Sequence, residues 1–141
     1  MTKLNQSWKM VSTLLLVGIL LLTACTGSGS KNVTVNVNVT EFSITSSVTT
    51  FTQGVAYHFV VKNNGSVNHE VRIMPPMDAT SSAEDVDTAT LVSLSGSDLT
   101  PGTTKTFDFT FTRAYPAGSL ELACHLPSHY EAGMHLGITV N

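Results

Sequence analysis

Val33-Thr34-Val35-Asn36-Val37-Asn38-Val39 alternates apolar and polar residues without a break. That is the period of a strand with one face buried and the other in water. Working outward, further short runs rich in Val, Thr and Phe follow: Phe42 to Thr45, Ala56 to Val61, His69 to Ile73, Thr106 to Phe111, Leu120 to Cys124 and Gly137 to Val140. These residue types suit a pleated, half-buried surface. Turn signals separate them at Gln53-Gly54, Asn63-Asn64-Gly65, Pro101-Gly102 and Pro116-Ala117-Gly118. About seven or eight short strands in roughly 110 residues predict an all-β protein, a β-sandwich. One stretch, 78–97, is rich in Ser, Thr, Asp and Ala without evident alternation. Within it Ser82-Ala83-Glu84-Asp85 can start a short helix, with the acids of its first turn facing the positive end of the dipole.

Upstream of the strands the chain changes character. Lys3 and Lys9 precede an apolar run from Val11 to Leu22. The run is too short to span a bilayer and of the length of an export-signal core. It ends in Leu22-Thr23-Ala24-Cys25, which resembles the lipobox of bacterial lipoproteins. The resemblance implies that residues 1–24 are removed and that Cys25 is lipidated. Residues 25–32, rich in Gly and Ser, read as a flexible tether, and 33–141 as one domain. The expected location is extracytoplasmic, held at the cell membrane by the lipid.

Residues 1–24 carry two lysines and no acid, so the net charge of −3 becomes about −5 in the processed chain. No basic stripe is present for nucleic acid, so none is expected as a partner. The two cysteines of an exported chain would ordinarily suggest a disulfide. With Cys25 claimed by lipid, Cys124 is a single thiol in an oxidising compartment, best explained if a metal occupies its sulfur.

Cys124-His125-Leu126-Pro127-Ser128-His129-Tyr130-Glu131-Ala132-Gly133-Met134 places a thiol, an imidazole and a thioether on one loop between two expected strands. A trigonal His₂Cys set with a weak axial Met holds electron-transfer copper. The second imidazole must come from elsewhere, and His69, after the Asn63-Asn64-Gly65 turn, is the candidate. This segment resembles the copper loop of the plastocyanin/azurin-like cupredoxins, particularly small bacterial and archaeal ones reading Cys-His-x-Pro-Gly-His-Tyr-x-x-Gly-Met. The resemblance extends over about Val33 to Val140. It implies a Greek-key β-sandwich, one copper cycling between Cu(I) and Cu(II), His69, Cys124 and His129 as equatorial ligands, and Met134 as the axial one.

The implied activity is that of a type 1 (blue) copper protein, a one-electron carrier at the outer face of a membrane. No enzymatic activity and no small-molecule substrate are expected, and the partner would be another redox protein, of unknown identity. A surface protein that binds, buffers or delivers copper is the alternative. A Cys–His hydrolase would leave His69 and Met134 unexplained, and Met is a poor zinc ligand. The expected docking patch lies around His129, Pro127, Met74 and Pro75. Met74-Pro75-Pro76-Met77 is expected to be an apolar cover over the copper end rather than a second copper site. His58 is expected to point outward.

Two departures from the family pattern are Ser128, where glycine is usual, and Leu136, where glycine often follows the Met. Ser128 is expected to strain the loop. Glu70 and His125 each follow a ligand, and in the resembling proteins these positions bond across the gap between the ligand loops. The residue types predict a Glu70 carboxylate against the His125 imidazole, raising the His125 pKa.

Overall fold

The computed structural model describes residues 32–78 and 80–141. The signal, Cys25 and most of the tether, expected from sequence, lie outside the described residues. The strands are β1 (Val33–Thr40), β2 (Ser43–Ser46), β3 (Thr50–Phe51), β4 (Ala56–Asn63), β5 (His69–Met74), β6 (Val92–Leu99), β7 (Thr104–Thr110), β8 (Tyr115–Ala123) and β9 (His135–Val140), and one helix, α1, spans Ala83–Ala89. One sheet runs β2-β1-β4-β7 and the other β3-β9-β8-β5-β6. Strands distant in sequence lie side by side, with β1 parallel to β4 and β3 parallel to β9. The result is the expected Greek-key β-sandwich. Among the described residues no helix is long and apolar enough to cross a membrane.

The alternation that opened the sequence holds in space. Val35, Val37 and Val39 are buried, and the polar residues between them are exposed. Against them packs an aromatic cluster of Phe51, Tyr57, Phe59 and Phe111, with Phe51 and Tyr57 edge to face at 4.9 Å.

Three details differ from expectation. Strand β6 falls largely inside the stretch read as lacking alternation, and its Val92 and Leu94 turn inward between exposed serines. With so few apolar side chains its pattern is faint, and pairing with β5 makes it a strand. Two-residue β3 is too short to leave a pattern. Pro116-Ala117-Gly118 makes no turn between strands but an irregularity inside β8, where pairing with β9 shifts register between Tyr115 and Leu120. The short helix forms where expected, with Ser82 as N-cap accepting from the Asp85 N–H at 3.2 Å. It covers the outer face of the second sheet, where Val86 packs with Met74, Met77, Ala123 and Tyr130.

Candidate metal centre

β5 and β8 are antiparallel neighbours, Arg72 opposite Ala123. This pairing brings His69, at the start of β5, up to Cys124, just past the end of β8. The loop after β8 then folds back on itself. The Cys124 N–H donates to the Met134 carbonyl at 3.0 Å, the His129 N–H to the Leu126 carbonyl at 3.0 Å, and the Met134 N–H to the His129 carbonyl at 3.1 Å. Gly133, at φ +93°, makes the return that only glycine takes readily.

The consequence is a cluster of His69, Cys124 and His129 with one donor atom from each, all within 4.8 Å of one another. His129 Nδ1 stands 3.3 Å from both Cys124 Sγ and His69 Nδ1. Donors spaced this way can each lie about 2 Å from a common centre, the length of a metal–imidazole bond. His69, Cys124 and Met134 are fully buried and His129 is half-buried.

Burial is also the main influence on protonation. It pushes the Cys124 thiol up, with the Glu70 and Leu126 N–H groups acting against it. It pushes His69 down, helped by His129. Burial thus favours the neutral forms of Cys124 and His69, and a cation binding there would displace the thiol proton. Soft sulfur beside two imidazoles, closed off from water, suits copper in both oxidation states.

The surroundings correct one expectation. Glu70 does bridge the two ligand loops, but through backbone: its Oε1 accepts from the His125 N–H at 2.8 Å and from Arg72 Nε at 2.9 Å. The His125 ring instead stacks on Tyr130 at 4.2 Å, and Tyr130 stacks on His135 at 4.8 Å. Burial therefore lowers the His125 pKa, the opposite of the expected rise, although Glu70 acts in the upward direction. Tyr130 is pushed up to about 12 by burial and by Glu121.

Met74 is fully buried and cannot belong to a docking surface. It packs with Met77 on the outer face of the second sheet, against Ala123 and Tyr130. The exposed apolar residues include Phe42 and Val67, which the sequence did not single out. His58 does point outward, 2.8 Å from Asp108. Leu136 sits in β9 opposite Leu122 and packs on the core.

Asn63 also escaped the sequence analysis. Fully buried, it donates through Nδ2 to the Val67 and Leu99 carbonyls, each at 2.8 Å, and accepts from the Gly65 N–H. It thereby fixes the loop that delivers His69. The Asn-Gly turn was visible, but a buried amide and an exposed one look alike in sequence.

Ser128 has φ +68°, as its departure from glycine predicted. A non-glycine residue there is strained by about 1 kcal/mol. Ser128→Gly is expected to stabilise the apoprotein by about that amount, read as a higher midpoint in urea. A midpoint that falls would mean the serine is favoured by contacts that outweigh its backbone strain.

No protein-family model matches the chain, and no curated protein sequence does. Solved structures do match. Dithionite-reduced auracyanin from Roseiflexus castenholzii superposes with a TM-score of 0.58 at 20% identity, over 80% of this chain and 99% of that one. Auracyanin A, a "blue" copper protein from Chloroflexus aurantiacus, gives 0.57 at 20% identity, over 79% and 100%. An azurin from Methylomonas sp. strain J gives 0.56 at 11% identity, over 79% and 99%. The fold of this chain is thus the β-sandwich of the cupredoxins.

Proposed function

We propose that this chain is a type 1 copper protein that carries one electron at a time, held by lipid at the outer face of a membrane. The observation that carries the proposal is the two-imidazole, one-thiol cluster with its 3.3 Å spacings, preformed at one end of a cupredoxin sandwich. His69, Cys124 and His129 would hold the copper, with the buried Met134 thioether as a fourth, weaker donor. When bound, the copper supplies a Cu(II)/Cu(I) couple whose geometry changes little between states. The chain's part is to hold donors in place and keep water out. Two loops tied together by Glu70 and a return loop closed by three backbone hydrogen bonds do the holding. Half-buried His129 is the donor nearest solvent, so electrons would pass through its edge.

A cavity of about 330 Å³ does lie nearby, lined by Glu70, Arg72, Asp87 and His125 among others, but none of the three donors lines it. That cavity adjoins the donor cluster without opening onto it. The experiment is a copper titration of the soluble domain. One equivalent should produce an intense absorption toward the red end of the visible range, bleached by reductant and restored by oxidant over many cycles. Copper that leaves to an acceptor on reduction would favour the delivery alternative.

Met134→Leu should keep copper bound and raise the reduction potential, because the weak thioether stabilises Cu(II) more than Cu(I). Voltammetry decides, and an unchanged potential would remove Met134 from the ligand set.

The membrane location is supported by sequence alone. Cys25→Ser should release the protein from the membrane or trap it unprocessed, since a single-residue lipid site is its only expected anchor. Detergent partition is the measurement. A processed variant that still partitions like wild type would exclude the lipid anchor.

A further inference from the structure

Glu41 and Phe42 close the β1–β2 hairpin, yet Phe42 is a poor choice for that turn. Thr40 pairs with Ser43, so the loop has two residues, and Phe42 sits at φ +58°. That is left-handed backbone, where tight turns place glycine or asparagine and where a bulky side chain is an outlier. Core burial does not explain the phenylalanine, because it is 50% exposed. Its ring meets His129 instead, edge to face, with centroids 5.7 Å apart and planes at 81°.

The residue before it reaches the other imidazole. The Glu41 carboxylate accepts from the backbone N–H of Ser66, and from its hydroxyl at 2.8 Å. These donors hold its carboxyl near 2, so it is ionised throughout the working range. Ser66 lies in the loop that delivers His69. Glu41 Oε1 and His69 Nε2 each stand 2.9 Å from where a Cβ on Gly65 would be. Glycine therefore leaves the two atoms within twice that distance of each other, beside the Asn63 Oδ1 that holds the Gly65 N–H. His69 Nε2 is buried without a hydrogen-bond partner. With Nδ1 turned to the donor cluster, a metal held there would leave the proton on Nε2, on the side where the Glu41 charge stands.

Strained backbone kept at a site points to a task there. The geometry points to the Glu41–Phe42 turn as a positioning device for both imidazoles of the metal centre: Glu41 sets the His69 loop and places a negative charge behind Nε2, while Phe42 holds the His129 ring against rotation. This rests on the copper assignment above. Holding both rings before the metal arrives lowers the ordering cost of binding, and the Glu41 charge favours Cu(II) over Cu(I).

Three variants test it: Phe42→Gly, Phe42→Tyr and Glu41→Gln. Glycine suits the φ of this turn, so the Phe42→Gly apoprotein should unfold in urea no earlier than wild type. Its His129 ring should nonetheless become mobile by NMR relaxation, and Cu(II) binding should weaken about two- to tenfold, the range of an edge-to-face pair. Phe42→Tyr should restore both. Glu41→Gln keeps an acceptor for Ser66 but loses the charge, so the Cu(I) to Cu(II) affinity ratio should rise about threefold, or ~30 mV. A His129 ring as ordered as in wild type, with unchanged copper affinity, overturns the Phe42 role whatever the stability. An unchanged potential in Glu41→Gln overturns the charge role. If wild type fails to take up copper, the copper assignment falls by itself, and ring mobility in the apoprotein still decides the positioning role.

Discussion

Cys124→Ser is expected to give a folded protein that shows no intense colour with copper. The colour arises from charge transfer between thiolate sulfur and Cu(II), so removing the sulfur removes it completely rather than by degrees. The fold should survive because the residue's structural contacts run through backbone. Its N–H bonds the Met134 carbonyl, and its sulfur accepts a long contact, 3.5 Å, from the Glu70 N–H, with His129 Nδ1 beside it at 3.3 Å. Serine is smaller and can accept that hydrogen bond, so the cost is that of burying a hydroxyl, about 1–3 kcal/mol. Absorption spectra with one equivalent of copper, beside far-ultraviolet circular dichroism, are the check. A coloured Cys124→Ser protein would sink the copper assignment.

The largest loss of stability is expected from Glu70→Ala. The Glu70 side chain is 6% exposed and that of Arg72 17%. One carboxylate oxygen joins two pieces of chain: β5, which carries both it and its partner Arg72, and the Cys124–His125 peptide. Removing the carboxylate leaves the His125 N–H without its acceptor and Arg72 with only Asp87, itself largely exposed, as counter-charge. Breaking such a pair from one side costs about 3–5 kcal/mol when fully buried. Partial exposure of Arg72 and its bond to Asp87 place this case near 3 kcal/mol. Glu70→Gln keeps an acceptor for the His125 N–H and should lose roughly half as much. Urea unfolding of both apoproteins measures this. A loss below about 1 kcal/mol in Glu70→Ala would mean that the two ligand loops are held by something other than this carboxylate.

The candidate metal centre was readable because three of its four candidate ligands lie on one short loop, where spacing alone constrains geometry. A thiol, an imidazole and a thioether on such a loop can meet whatever the rest of the chain does. His69 was readable for a different reason: it opens a well-patterned strand after an Asn-Gly turn, leaving few other sources for the second imidazole. The sandwich followed from alternation in strands such as Val33–Thr40, where burial of one face imposes a period of two. Strand β6 was not readable, since its serines and glycine carry little hydrophobic signal and only pairing with β5 settles its conformation.

Contacts between side chains distant in sequence depend on where sheets and loops end up. Glu70 and His125 stand at positions that could pair by side chain or by backbone, and sequence cannot distinguish them. The stacking of His125 on Tyr130 removes the imidazole and leaves the amide. Likewise the Glu41–Phe42 turn is more than 80 residues from His129 in the chain, and only the hairpin geometry brings the Phe42 ring against it. The sequence by itself determined the sandwich and indicated the loop carrying Cys124, His129 and Met134, because both follow from local period and spacing, whereas His69, a candidate by position, entered the donor set through the resemblance. The tertiary structure alone decided what surrounds the donors, because those contacts arise from how β1–β2, β5 and β8 pack at one end of the sandwich, which no local pattern encodes.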